Sequence, residues 1–161
     1  QLATVGDAEA IREIYNREIT TGVNTFDLVP RSPAEQRAWV AEHSGAHPAV
    51  VAIDGDGVLL GFGSLSPYRD RPAYRTTVED SVYVHPDHRG RGVGHALLTE
   101  LVSLANRHGF HTVLGRIVGH NEASMRLHRT CGFGEVGVER EVGRKFGQWL
   151  DVVVMQRLLG P

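Results

Sequence analysis

Gly90, Gly92 and Gly94, three glycines in five residues, alternate with arginine in the stretch VYVHPDHRGRGVGHALL, from Val82 to Leu98. Glycines let backbone N–H groups turn toward a ligand with no Cβ in the way. The residues from Val93 onward have helical spacing, so a helix N-terminus would add its positive dipole end. Arg89 and Arg91 add charge. The pattern points to an anion, above all a phosphate. It is not a dinucleotide fingerprint, because the third glycine comes one residue too early for G-x-G-x-x-G. No acidic ribose ligand sits cleanly about 20 residues further on. It is not a Walker loop either, since it ends Gly-His-Ala instead of Gly-Lys-Ser/Thr. From the glycines alone, a strand-to-helix turn with solvated arginines fits equally well.

Four other groups could carry chemistry. Glu79 and Asp80 are neighbours on a strand pattern and must point to opposite faces, so only one can serve a given site. A carboxylate whose pKa is raised by partial burial can take a proton from an amine. His128 shares a helix face with Ser124, Leu127 and Cys131; as a proton relay or acid it competes with a plain packing role. Cys131 precedes Gly132-Phe133, where a small apolar side chain packs, and nothing marks it as a thiolate. Arg69, Arg71 and Arg75 crowd one loop. An arginine fork suits a carboxylate, though a solvated basic loop reads as well. No metal is expected: Gly45 and Pro48 break the helix that would align His43 with His47, and His85 and His88 lack a third ligand.

The elements that must position these groups follow from pattern. A leading strand is expected before Gly6. Ala8, Ile11, Ile14 and Tyr15 then fall at helix spacing, with Asp7 as N-cap. TTGVNTFDLV reads as loop. Ser32-Pro33-Ala34-Glu35 resembles a capping box and opens a helix to about His43. Strands over 48–54 and 58–66 flank the turn DGDG, forming a hairpin. The arginine loop covers 67–75, and a strand covers 76–84. Val93, Leu97, Leu101 and Leu104 mark an amphipathic helix ended by Gly109. A strand over 111–118, a short helix over 121–131 and strands near 133–142 and 149–158 complete the chain. The expectation is an α/β fold: a mixed, mostly antiparallel central sheet flanked by helices.

At 161 residues the chain fits a single domain, 1–161. Seventeen basic against nineteen acidic residues give a net charge of −2, which argues against nucleic acid or an anionic membrane as the main partner. One cysteine excludes an intrachain disulfide and fits a reducing cytoplasm. No apolar run approaches the length of about 18 residues that a spanning helix needs, and no signal peptide is visible. The chain opens on Gln1 and not Met, so a short leader is expected to precede it.

Arg89-x-x-Gly92-x-Gly94 after VYVHP resembles the acyl-CoA loop of the GNAT N-acetyltransferase superfamily, and the element order over the whole chain matches. Within it, TVEDSVYV, RLHRTCGF, KFGQWLDVVVMQ and PYRDRPAY resemble the phosphinothricin and methionine sulfoximine acetyltransferase group. The resemblance implies acetyl-CoA as co-substrate. Arg89, Gly90, Arg91, Gly92, Val93, Gly94 and His95 would hold its pyrophosphate, and Val82, Tyr83 and Val84 its pantetheine arm. Asn121 and Ser124 would make further contacts. It picks Glu79 over Asp80 as general base and gives His128 a catalytic place, where many superfamily members carry a tyrosine. By the same analogy Phe26, Arg69, Arg71, Tyr74, Arg75 and Trp149 would line the site of a small-molecule amine acceptor, and the protein would be a homodimer. Two rivals remain: acetylation of a polyamine or a protein N-terminus, and a non-catalytic CoA-binding or dimerisation module. An acidic acceptor groove would favour the polyamine; loss of the carboxylate would favour the module.

Overall fold

The computed structural model describes residues 1–160. The chain begins without a full strand. Leu2 makes one antiparallel bridge to Val50, flanked by hydrogen bonds from Ala3 N to Ala49 O and from Val51 N to Gln1 O. The expected leading strand is therefore a single bridge; a 3-10 turn at Val5–Asp7 takes the chain away from the sheet. Asp7 does not cap the following helix with its side chain. Its Oδ2 instead accepts from Thr4 N at 2.8 Å, closing the turn before it.

Helix α1, Ala8–Thr21, buries Ile11, Ile14, Tyr15 and Ile19 along one stripe. Helix α2, Pro33–Glu42, starts at a capping box in which Glu35 N donates to Ser32 Oγ and Ser32 N to Glu35 Oε1. Strands β1, Ala49–Ile53, and β2, Leu59–Pro67, form the expected hairpin. Then come β3, Thr77–Val84; α3, Val93–Arg107; β4, Thr112–Val118; α4, Glu122–Thr130; β5, Gly134–Lys145; and β6, Gln148–Leu158. Strand β5 runs on to Lys145, past the expected end near 142. Two irregularities in its register with β6 absorb the extra length.

The six strands form one sheet in the order β1-β2-β3-β4-β6-β5. Only β3 and β4 pair in parallel, joined by α3 as a crossover; every other pair is antiparallel. One face packs under α3 and α4, with Val78, Leu98, Leu101, Val113 and Met155 fully buried. The other packs under α1 and α2 around Phe62, Val51 and Tyr15. Among the described residues no helix is long and apolar enough to cross a membrane.

Candidate active site

The parallel ladder between β3 and β4 is short. It runs from Thr77↔Thr112 to Asp80↔Gly115 and stops, although both strands continue. Beyond that rung β3 stays paired to β2 through Val84, and β4 to β6 through Val118. The strands splay, and the facing edges of residues 81–84 and 116–118 have no ladder with each other. Unpaired strand edges are ready hydrogen-bonding rows for an extended ligand. A cavity of about 400 Å³ opens here.

The glycine loop forms one wall. Gly90 and Gly92 have φ of 75° and 79°, a left-handed conformation that glycine adopts without strain. Gly92 is the N-cap of α3, and the first intrahelical bond runs from Ala96 N to Gly92 O. The amides of Val93, Gly94 and His95 therefore precede the helix's own ladder. Gly94 serves another purpose: a Cβ there would lie 3.2 Å from the Leu127 side chain, so its bareness lets α3 approach α4. Val82, Tyr83, Val84, Arg89, Gly90, Gly92, Val93, Gly94, His95, Asn121, Ser124 and His128 all line the cavity. Arg91 does not; its guanidinium bonds His88 Nδ1 at 3.1 Å. Arg89 lines the wall but is paired with Glu18 Oε1 at 2.9 Å.

That pairing belongs to a polar chain whose middle members, Glu18 and Asn24, the motifs did not single out. Asn24 Nδ2 donates to Glu18 Oε2 at 3.0 Å, and Asn121 Nδ2 donates to Asn24 Oδ1 at 2.8 Å. Asn121 Oδ1 accepts from Ser124 N, capping α4. Lys145, buried, donates to Thr25 O at 3.0 Å and pins the same loop from the far end of the sheet; burial pushes its pKa down. Nothing in local spacing links Glu18, Asn24 and Lys145, because only the folded sheet brings them together.

Glu79 lies on the opposite face of β3, toward α1 and α2, and is half-buried. Burial raises its pKa, and the Arg116 guanidinium, 3.9 Å away, works against the rise. Arg116, which also lines the cavity, reaches Glu139 Oε1 at 2.5 Å. It reads in sequence as an ordinary strand residue. Asp80, which the family resemblance passes over in favour of Glu79, points the other way: it is buried beneath α4 and bonded to His128 Nε2 at 2.9 Å. Cys131 is buried, and burial pushes its thiol up, away from thiolate chemistry.

The expected acceptor residues are scattered over the Glu79 face and the sheet edge. Arg69 stacks 4.8 Å over Tyr68, whose ring meets Tyr74 edge-on at 5.2 Å, and its charge reaches Glu79. Arg75 Nε donates to Pro72 O within its own turn, and Arg71 is exposed. Phe26 lies against Gly143 of β5, where a Cβ would meet its ring. Trp149 is 60% exposed beneath Arg144. None of these six lines the splay cavity. Among the described residues no group of three His, Cys, Asp or Glu gathers to hold a metal.

The sequence model of the acetyltransferase (GNAT) family matches residues 8–133. The chain belongs to the GNAT family. GNAT relatives share most of its length. A phosphinothricin N-acetyltransferase of Alcaligenes faecalis is 41% identical over 95% of this chain and 78% of its own. An L-methionine sulfoximine/L-methionine sulfone acetyltransferase of Pseudomonas paraeruginosa is 39% identical over 99% of this chain and 93% of its own. A GNAT phosphinothricin acetyltransferase from Sinorhizobium meliloti, solved in complex with AcCoA, superposes with a TM-score of 0.95 at 40% identity, covering 99% of this chain and 87% of that one.

Proposed function

We propose that this GNAT enzyme moves the acetyl group of acetyl-CoA to the amine of a small amino-acid analogue of the phosphinothricin or methionine sulfoximine type. The carrying observation is the splay: a cavity between the parted ends of β3 and β4, beyond the Asp80↔Gly115 rung, with the half-buried Glu79 carboxylate one residue before that rung. The residues fit the co-substrate. Loop amides at the start of α3 suit a pyrophosphate, and the free edge of residues 81–84 suits the amides of a pantetheine arm. The thioester then lies at the closed end of the splay.

In this reading the acceptor enters from the Glu79 face. The amine nitrogen attacks the thioester carbonyl, forming the C–N bond, and the C–S electron pair leaves on sulfur. Glu79 takes the proton that the nitrogen must shed, through one water, and releases it to solvent; the thiolate takes a proton from solvent on leaving. Arg69 is the arginine of the loop assigned to an acceptor carboxylate, because its charge reaches Glu79, whereas Arg75 is tied to Pro72 O within its own turn. Exposed Val136 and Val138 on β5, Phe146 in the turn after it and Trp149 on β6 support a homodimer, and the single cysteine supports a cytoplasmic one. A thiol-release assay across methionine sulfoximine, phosphinothricin, spermidine and an alanyl peptide tests the reading. Turnover on the first two carries it; turnover on spermidine or the peptide alone overturns the acceptor class.

A further inference from the structure

We propose that Asp80 is a positioning residue that keeps His128 doubly protonated, so that His128 serves as a fixed positive charge at the closed end of the splay and not as a proton shuttle. This rests on the acetyl-transfer reading for its purpose, but not for its geometry. His128 Nδ1 lies 2.7 Å from the Ser124 carbonyl oxygen, which can only accept, so Nδ1 carries a hydrogen. Nε2 lies 2.9 and 3.1 Å from the two Asp80 carboxylate oxygens, so it donates as well. A ring that donates from both nitrogens has no lone pair for an amine proton.

The surroundings leave the ring little freedom. It is 4% exposed, and Phe133 packs edge-on against it at 4.9 Å. It sits directly over Gly115, where a Cβ would come within 2.7 Å of the imidazole. The pair thus joins α4 to the last rung of the β3–β4 ladder, the point where the cavity begins. Burial works to lower the pKa of His128; the charge and hydrogen bond of Asp80, aided by the Ser124 carbonyl, outweigh it and raise the pKa. Of the other ionisable groups on the packed elements, Arg116 on β4, His95 on α3 and Tyr83 on β3 line the same cavity, Cys131 follows α4, and Glu79 is on the reverse face of β3. Glu122, Arg126 and Arg129 of α4 and Arg107 of α3 are exposed, and Glu100 of α3 pairs with Arg107. Asp80 alone meets the ring.

The sign of the consequence is definite. A histidine with a raised pKa keeps its charge to higher pH than a free one, in the direction that the two acceptors at its nitrogens require. A cation facing the thioester stabilises negative charge arriving on sulfur. Asp80→Asn keeps the shape and removes the charge. Desolvation then favours the neutral ring, and the cation is lost as pH rises toward the ordinary histidine value of about 6.5, before that value is passed.

The test has two readouts. Long-range ¹H–¹⁵N spectra of histidine-labelled protein, with His128→Gln to identify the signal, report the ring's protonation without any turnover. Wild type is expected to show both nitrogens protonated from pH 6 to 8, and Asp80→Asn an unprotonated Nε2 by pH 8. In turnover, the wild-type to Asp80→Asn ratio of kcat should grow about tenfold or more between pH 6 and 8, as the residual cation of an ordinary histidine is titrated away. Asp80→Glu should flatten that ratio. A neutral His128 in wild type at pH 7.5 overturns the proposal, as does a ratio constant with pH. The wild-type spectrum decides even if Asp80→Asn does not fold. If no acceptor is acetylated while the spectrum shows the imidazolium, the acetyl-transfer reading has failed and the protonation assignment stands.

Discussion

The two faces of β3 meet at adjacent residues and are built in different ways. On the α3–α4 side, Asp80 is buried and its partner is fixed, and the cavity beside it is framed by backbone features, a ladder end, a left-handed glycine turn and a helix start, with side chains such as Asn121, Ser124 and Leu127 filling the wall between them. On the α1–α2 side, Glu79 is half-buried, Arg116 of β4 lies 3.9 Å from it, and Arg69 on the preceding loop is held by stacking on Tyr68. Backbone geometry does not change with side-chain identity, so one construction can hold one shared co-substrate. Side chains can be exchanged singly, so the other can tune an acceptor. Substitutions on the two faces should therefore separate in their kinetics.

The largest effect is expected at the boundary. Glu79→Gln should lower kcat by roughly 10²–10⁴, the usual scale of general-base loss, with acetyl-CoA binding unchanged by calorimetry. A comparable loss of co-substrate binding would merge the two faces and break the comparison. Next, Arg69→Gln should raise the KM of a carboxylate acceptor by roughly ten- to a hundredfold, from a charge-assisted bond of about 1.5–3 kcal/mol. Arg71→Gln and Arg75→Gln should do little. The acceptor's methyl ester should imitate Arg69→Gln without adding to it; if all three variants discriminate acid from ester as wild type does, the loop binds no carboxylate.

On the other face, Gly92→Val forces a β-branched residue into left-handed φ, at about 1–2 kcal/mol. The acetyl-CoA KM should rise about tenfold while the acceptor KM holds. Equal rises in both would contradict the separation. The smallest effect is a displacement in pH. A base must be ionised to act, so kcat/KM should rise with pH through the pKa of Glu79, which burial sets above the ordinary carboxylate range. Arg116→Met removes the cation that opposes this and should move the acid limb to higher pH; an unmoved limb would mean that Glu79 is not the titrating group.

The same contrast explains what could be read from sequence. The Arg89-to-Gly94 run is a local backbone device, so its residues are contiguous and most of them meet one wall. Strand alternation correctly sent Glu79 and Asp80 to opposite faces. It could not show that Asp80 meets His128, since 48 residues separate them. Glu18, Asn24, Arg116 and Lys145 stayed invisible for the same reason: each looks ordinary where it stands, and only tertiary contact gives it a partner. The expected leading strand reduces to a single bridge because the chain turns away at Val5 before a ladder can extend.

The central claim is that acetyl passes from one face of the splay to an amine on the other. The direct measurement follows [1-¹³C]acetyl-CoA and L-methionine sulfoximine together, counting free thiol and N-acetylated acceptor in the same sample. The account predicts one acetylated amine for each thiol released, at a rate that Glu79→Gln lowers in both counts equally. Thiol release without acetylated acceptor, or acetylation that survives Glu79→Gln at the wild-type rate, would contradict it.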